Sequence, residues 1–377
     1  MANLKILLIS ALMVPAVLYG QATNAIVAGV RHAIDSEIMG REIEYRVHLP
    51  ANYDRGLNRY PVLYITDGGE HFFLASGTTE FMGSQFVIPE LIVVAIFHQD
   101  RKHDLTPTHC TATNDGFESD GLKVSGGGEK FLQFIEKELI PGIERDYRTA
   151  PYRILSGHSL GGLFAMYAYL TRNDLFNAFI AMDPALNWDH HLCERMLKTS
   201  TFRSPNLTSK LYMSSAHNAP YGERDRSPFR LSQDSFFREL KAKQVPNTRH
   251  EYFEDQNHMT VPYESLYKGL RFIFPGFYIL DDPQFALEVP FVEAFYEKQS
   301  GLYGIAFTPP ERLMEMLGNY FLYDVNDYHQ SKTFFEFNTA HYPNSSGAFE
   351  CLAKAYEAMG DTVNASLSLE KALEVKR

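Results

Sequence analysis

A chain of 377 residues exceeds the length at which one hydrophobic core usually keeps growing, so a large domain with a smaller companion is expected. Lys and Arg number 35 against 46 Asp and Glu, a formal charge of −11 without a basic tract, which argues against nucleic acid and against an anionic membrane surface as partners. An anionic substrate would have to be met by local arginines.

The first residues carry one positive charge, Lys5, then the apolar run Ile6 to Leu18, then Gly20-Gln21-Ala22, a small-x-small cleavage pattern. This is the pattern of a secretory signal peptide over residues 1–22, and it predicts an exported mature chain with no membrane span, since the run is shorter than the roughly 20 residues a span needs. Cys110, Cys193 and Cys351 allow at most one disulfide. Cys351 falls in an apolar helical pattern and reads as core; the sequence leaves a Cys110–Cys193 bridge open.

Glu42–Leu49 alternates as a half-buried strand and ends at Pro50. Tyr60–Thr66 is a continuous apolar strand closing on Asp67-Gly68-Gly69, and Leu91–Phe97 is another, so the sheet should be buried on both faces. Glu129–Leu139 has Phe131, Phe134, Ile135 and Leu139 at core spacing for an amphipathic helix. The preceding Gly126–Gly128 is not followed by the Lys-Ser or Lys-Thr of a phosphate loop.

Tyr152–Leu170 then reads as strand, sharp turn and helix. Gly157-His158-Ser159-Leu160-Gly161 fits G-x-S-x-G, the nucleophile elbow. Its physics is steric: a serine at a strained turn needs neighbours without side chains so that its oxygen stands free. Ser159 is the candidate nucleophile, and the N–H of Leu160, at the positive end of the following helix, is the first candidate oxyanion donor. Ala178–Met182, Lys210–Met213 and His250–Glu254 read as further strands, with helices near Ser235–Lys243 and Tyr263–Phe274. Strands alternating with helices predict a parallel α/β sheet. His258, in the loop after the last strand, is the candidate base, placed later in the chain than the serine as such hydrolases require.

From about Leu280 the pattern is helical only. Ser346–Leu373 fits the 34-residue tetratricopeptide pattern through Leu352, Ala353, Tyr356, Gly360, Ala365, Leu369 and Ala372, and Arg312–Pro343 is a degenerate copy. Two repeats cannot bury a core alone, so this tail is expected to dock on the preceding domain or to bind a protein partner. The expected organisation is therefore a signal peptide (1–22), an α/β domain (23–278) and a helical region with about two repeats (279–377).

Several motifs together resemble the esterase D-like family of α/β-hydrolases: Ser36…Gly40-Arg41, Val62–Gly68, Asp100-Arg101…Asp104-Leu-Thr-Pro107, Phe131–Tyr147, the elbow, and Tyr252…His258-Met-Thr-Val-Pro262. Within it the chain looks most like the branch of periplasmic siderophore esterases that cut the trilactone of enterobactin-type siderophores. The resemblance covers roughly residues 26–275. It implies the α/β-hydrolase fold, Ser159 as nucleophile, His258 as base, and oxyanion donors from Leu160 and from the turn at Gly68-Gly69.

The acid of the triad is left open. Relatives place it just after the strand at Lys210–Ser214, where this chain reads Ala216-His217-Asn218. Glu223, Asp225, Asp183, whose alternative role is a helix cap, or a serine–histidine dyad without an acid all fit the pattern. For substrate binding, Arg101 with its neighbours Asp100 and Lys102, and Arg224-Asp225-Arg226, are rim charges; Trp188, Tyr221 and Phe229 are aromatic walls. His98, His103, His109 and Cys110 fit no compact ligand spacing, so neither metal nor organic cofactor is expected. The resulting expectation is a periplasmic serine esterase acting on a small-molecule ester, with acyl transfer on the same fold or a non-catalytic scaffold built on the repeat tail as alternatives.

Overall fold

A computed structural model describes residues 27–112, 118–199, 208–220, 223–282 and 286–376. Residues 1–22, the expected signal peptide, and Tyr221 lie outside the described residues.

The sheet has eight strands: β1 (Val30–Ser36), β2 (Arg41–His48), β3 (Tyr60–Ile65), β4 (Ile92–Ile96), β5 (Thr149–His158), β6 (Ala178–Met182), β7 (Lys210–Ala216) and β8 (Thr248–Phe253). Their spatial order is β1-β2-β4-β3-β5-β6-β7-β8. β1/β2 and β2/β4 are antiparallel and the remaining pairs are parallel, which is the mostly parallel sheet of an α/β-hydrolase. β3, β4 and β6 are buried at every position, as their continuous apolar runs predict. β1 was not anticipated. It is a polar, largely exposed edge strand, turned back on β2 through Gly40 at φ +69°, and an edge strand covered on one side carries no apolar run to betray it.

From β3 the chain goes outward to β4 and then returns to add β5 on the other side of β3. That reversal opens a crevice beyond the C-terminal ends of β3 and β5, where ligands bind in sheets of this kind.

Helices cover both faces. α1 (Gly68–Ser84) follows β3 and a short α2 (Arg101–Leu105) follows β4. α3 (Gly128–Phe134) runs through a wider turn at Ile135–Leu139 into α4 (Ile140–Asp146). α5 (Leu160–Thr171), α6 (Trp188–Lys198), α7 (Pro228–Ala242) and α8 (Val261–Ile273) follow β5, β6, β7 and β8. α7 begins earlier than the apolar spacing suggests, because Ser227 caps it through the Arg230 N–H and Pro228 fits its first turn. Alternate residues of β3 serve the two layers. Tyr64 joins Phe131, Phe164 and Phe236 on one face; Leu63 and Ile65 join Phe72, Leu266 and Leu270 on the other.

Five further helices follow: α9 (Val289–Tyr303), α10 (Glu311–Tyr320), α11 (Tyr328–His341), α12 (Ser346–Ala358) and α13 (Thr362–Val375). Val292, Tyr296, Leu313, Met314 and Phe334 belong to the same apolar cluster as Leu63, Ile65 and Leu270, so α9, α10 and α11 share the core on the second face of the sheet, while Cys351, Leu352 and Ala355 of α12 form a separate small cluster with Leu322 and Phe335. All three cysteines are free; Cys193 is wholly buried and no Cys110–Cys193 bridge forms.

Candidate active site

The site is assembled at the reversal between β3 and β5. Ile65 pairs with Ser156, and three residues beyond each, side by side, stand Gly68 at the start of α1 and Ser159 before the start of α5. Two helix N-termini therefore open into one crevice, each with backbone N–H groups that lack an intrahelical acceptor. Leu160 and Gly68, the candidate oxyanion donors, are the first residues of those helices.

Ser159 has φ +60° and ψ −114°, a sparsely populated conformation for a residue with a side chain and the strain expected of an elbow. Three backbone bonds hold it. Its N–H donates to the Met182 carbonyl (3.0 Å), and its own carbonyl accepts from Leu163 (2.9 Å) and Ala185 (3.1 Å). The flanking glycines are required by close approach: a Cβ on Gly157 would lie 2.3 Å from the Gly161 backbone, and one on Gly161 would lie 2.3 Å from Thr66 Oγ1.

His258 sits in the loop between β8 and α8. Asn257 fixes that loop, its side chain accepting from the Met259 and Thr260 N–H groups (2.9 and 3.2 Å). The imidazole Nδ1 lies 2.6 Å from Asp183 Oδ2, which leaves Nε2 as the nitrogen able to take up a proton, and the edge of Phe229 closes against the ring at 5.3 Å. Asp183, at the end of β6, is fully buried. It also accepts from the Ala216 N–H (3.0 Å), Gln233 Nε2 (2.9 Å) and Asn218 Nδ2 (3.1 Å). Burial pushes its pKa up, but the hydrogen bonds from His258, Ala216, Gln233 and Asn218 outweigh burial and hold it below the ordinary carboxylate value.

Of the carboxylates open on sequence, Asp183 is the one brought to the histidine. Asp225 accepts from the Asn218 and Ser227 N–H groups (both 2.9 Å), and Glu223 lines a separate polar hollow of about 1020 Å³ together with Arg224, Asp225, Arg226 and Arg230. Arg101 grips Asp67 with two bonds (Nε 2.6 Å, Nη2 2.9 Å) and donates to the His158 carbonyl (3.1 Å), so it braces the turn that carries Gly68. Its engagement with Asp67 limits what it can offer a substrate, although 37% of the side chain is exposed. Trp188 is half-buried, its indole N–H donating to Thr108 Oγ1 (3.1 Å).

Sequence reasoning passed over Asp67, Gln233 and the two histidines His71 and His158. The ring of His158 lies 4.4 Å from that of His258, and the His71 ring 5.7 Å from that of His158. A histidine in the variable position before the elbow serine was the available signal. Between α1 and the His258 loop runs an open groove of about 780 Å³ with His71 and His158 in its lining. Among the described residues no cluster of three or more His, Cys, Asp or Glu could hold a metal ion, and no helix is long and apolar enough to cross a membrane.

A family model described as "Putative esterase" matches residues 36–251. Ferri-bacillibactin esterase of Bacillus subtilis is 34% identical over 142 residues, covering 34% of this chain and 49% of that protein. The siderophore enterobactin esterase of Emericella nidulans is 28% identical over 194 residues, 46% of this chain and 61% of that protein. The chain thus spans about half to three-fifths of the length of these curated relatives. Among solved structures, an IroE-like serine hydrolase from Shewanella oneidensis superposes with a TM-score of 0.67 at 27% identity, over 83% of this chain and 99% of that one. A match over more than half of the chain, on an eight-stranded α/β sheet with an elbow at its switch point, identifies this chain as a member of the putative-esterase family.

Proposed function

We propose that the chain is a serine esterase that cleaves carboxylic esters through an acyl-enzyme. In this reading Ser159 attacks the ester carbonyl while His258 Nε2 takes its proton. The oxyanion rests on the N–H groups of Leu160 and of the Gly68 turn, and the leaving alcohol receives the proton back from His258. Asp183 holds the imidazole tautomer and stabilises the imidazolium. Water, activated by the same histidine, then hydrolyses the acyl-enzyme. The observation that carries the reading is the 2.6 Å contact between His258 and a fully buried carboxylate, beside a serine at φ +60° on an elbow.

The siderophore-esterase names of the relatives support a siderophore-type ester as the substrate class. We read residues 23–278 as the esterase domain, 279–377 as a helical region with about two tetratricopeptide-like repeats, and 1–22 as an export signal to the periplasm.

The test is hydrolysis of p-nitrophenyl acetate and of a catechol-bearing serine trilactone by the wild type and by Ser159→Ala, with fluorophosphonate labelling alongside. Turnover and labelling confined to the wild type support the reading. A folded wild type that neither labels nor turns over would sink it.

A further inference from the structure

Two hollows meet at the seam between the sheet domain and the tail helices. The inner one, about 30 Å³, is closed in by the rings of Tyr60, Phe277, Tyr296, Phe307 and Tyr342. The outer one, about 480 Å³, opens between the end of α1 and the start of α10. Gly83, Glu90 and Pro310 line both, so Glu90, two residues before β4, stands in the partition and is faced by groups from either region.

A charge on Glu90 finds little to balance it. Asn52 Nδ2 donates to its Oε1 at 3.1 Å. The arginines of the seam are engaged elsewhere: Arg55 lies 3.2 Å from Glu311, Arg312 donates to the Ser84 carbonyl (3.0 Å) and Arg59 to that of Thr149 (3.2 Å). Three more carboxylates share the outer hollow. Glu80, near the end of α1, is 3.4 Å from His48 Nε2, and Glu311 and Glu315 come from α10. α9 and the end of α11 bring the hydroxyls of Tyr296 and Tyr342, and Tyr60 precedes β3; burial pushes all three phenols above their ordinary value, so they stay neutral. As a whole residue Glu90 is half-buried, but its carboxyl is ringed by these aromatic and acidic groups.

A carboxyl in such surroundings keeps its proton. Burial first, then Glu80 and more weakly Glu311, push that of Glu90 up to about 7, against the hydrogen bond from Asn52 and the charge of Arg55. The other polar ties across this part of the seam, Arg55 to Glu311 and Arg312 to Ser84, have exposed arginines and hold it weakly.

We propose that Glu90 is a pH-sensitive latch on the tail: protonated, it lets α10 close against the end of α1; ionised, it sets the carboxylates of Glu80, Glu90 and Glu311 against one another across the seam and loosens α10. Opening the seam returns Glu90 to water and to the ordinary glutamate value of about 4.5, so the closed form binds the extra proton. Closure is therefore fully favoured below pH 4.5, and the advantage is lost as pH rises through about 7. The latch is independent of the chemistry at Ser159, and its test needs no substrate.

The experiment is amide hydrogen exchange of the full chain at pH 5, 6, 7 and 8.5, with the wild type and Glu90→Gln compared at each pH so that intrinsic exchange cancels. The glutamine keeps the shape and stays neutral. Relative to it, wild-type α10 should lose about tenfold or more in protection between pH 5 and 8.5, while β6 in the middle of the sheet keeps the same ratio throughout. Glu80→Gln removes the like charge that acts most strongly on Glu90 and should shrink the wild-type loss about threefold. A constant ratio in α10 across the pH range overturns the latch. So does a loss spread equally over α10 and β6, which is general destabilisation rather than opening of the seam. If Glu90→Gln does not fold, Glu80→Gln decides, and α10 protection that follows the wild type at every pH overturns the latch.

Discussion

The side-chain amide of Asn218 donates to Asp183 Oδ2, the same oxygen that meets His258 Nδ1. Asn218 stands after β7, where the resemblance places an acid, and Asp183 stands after β6, one strand nearer the serine. The carboxylate that meets His258 thus stands one strand away from the position the resemblance implies, and Asn218 at that position supplies a hydrogen bond to it. Asp183→Asn should therefore lower kcat by about 10⁴, the loss seen when a triad histidine is left in the wrong tautomer. The exchange Asp183→Asn with Asn218→Asp returns a carboxylate to the cluster and should recover at least about tenfold of that loss. Both are read on p-nitrophenyl acetate with circular dichroism as a folding control. An unchanged kcat in Asp183→Asn would mean that His258 works without a carboxylate.

Acid stability has a second histidine behind it. His250 accepts or donates at 2.8 Å to Ser215 Oγ and lies against Phe237, and burial first, then Arg230 and Lys241, push its pKa down to about 3. A depressed folded pKa means that the unfolded chain binds the extra proton between the ordinary histidine value of about 6.5 and pH 3, so stability is fully present above that window and is lost as pH falls through it. His250→Gln removes one such proton and should flatten the loss by about 1.4 kcal/mol per pH unit within the window. The measurement is urea unfolding at pH 7, 6, 5 and 4. Parallel slopes for the wild type and the variant would show that His250 is not the group responsible.

What was legible in the sequence follows from how local each signal is. The elbow declares itself because Gly157, Ser159 and Gly161 meet their steric needs within five residues, and β3, β4 and β6 because burial on both faces demands unbroken apolar runs. Asp183 could be weighed but not chosen, since its contact with His258 spans 75 residues and depends on where β6 ends relative to β8. His71 was silent for the same reason: in a helix its periodicity says core, and only the fold brings it against His158. Arg101 read as a rim charge because nothing local announces that its partner is Asp67, 34 residues earlier.

The crowding at Gly161 makes a directional prediction. A methyl group there meets Thr66 Oγ1 at 2.3 Å and Asp67 Oδ2 at 3.1 Å, so Gly161→Ala must displace the Thr66 hydroxyl and press on the Asp67 carboxylate in the turn that carries Gly68. We expect a stability loss of about 1–3 kcal/mol from overpacking, with a larger fall in kcat than in substrate affinity because the turn holds a candidate oxyanion donor. Thr66→Ala removes the clashing oxygen, and the double variant should be better than the sum of the two singles. Strict additivity in urea unfolding and in kcat would show that the clash lies elsewhere.

The tail helices make the opposite kind of claim, about the core rather than the site. Leu313 in α10 is fully buried within the cluster that contains Leu63 and Ile65 of β3, and Arg55 reaches Glu311 at 3.2 Å from the other side of the same junction. If the helices were an independent appendage, removing an apolar side chain there would leave the sheet untouched. Because α9, α10 and α11 share its core, Leu313→Ala should cost about 2–5 kcal/mol in a single unfolding transition. Leu367→Ala, on the exposed face of α13, should fall within about 0.5 kcal/mol of the wild type. Deletion of residues after 279 should leave a chain that binds a hydrophobic dye, since Ile273, Phe274 and Tyr152 would lose their cover. Two separate transitions in the full chain, or a truncated chain as stable as the parent, would instead make the tail a domain of its own, free to act on a partner.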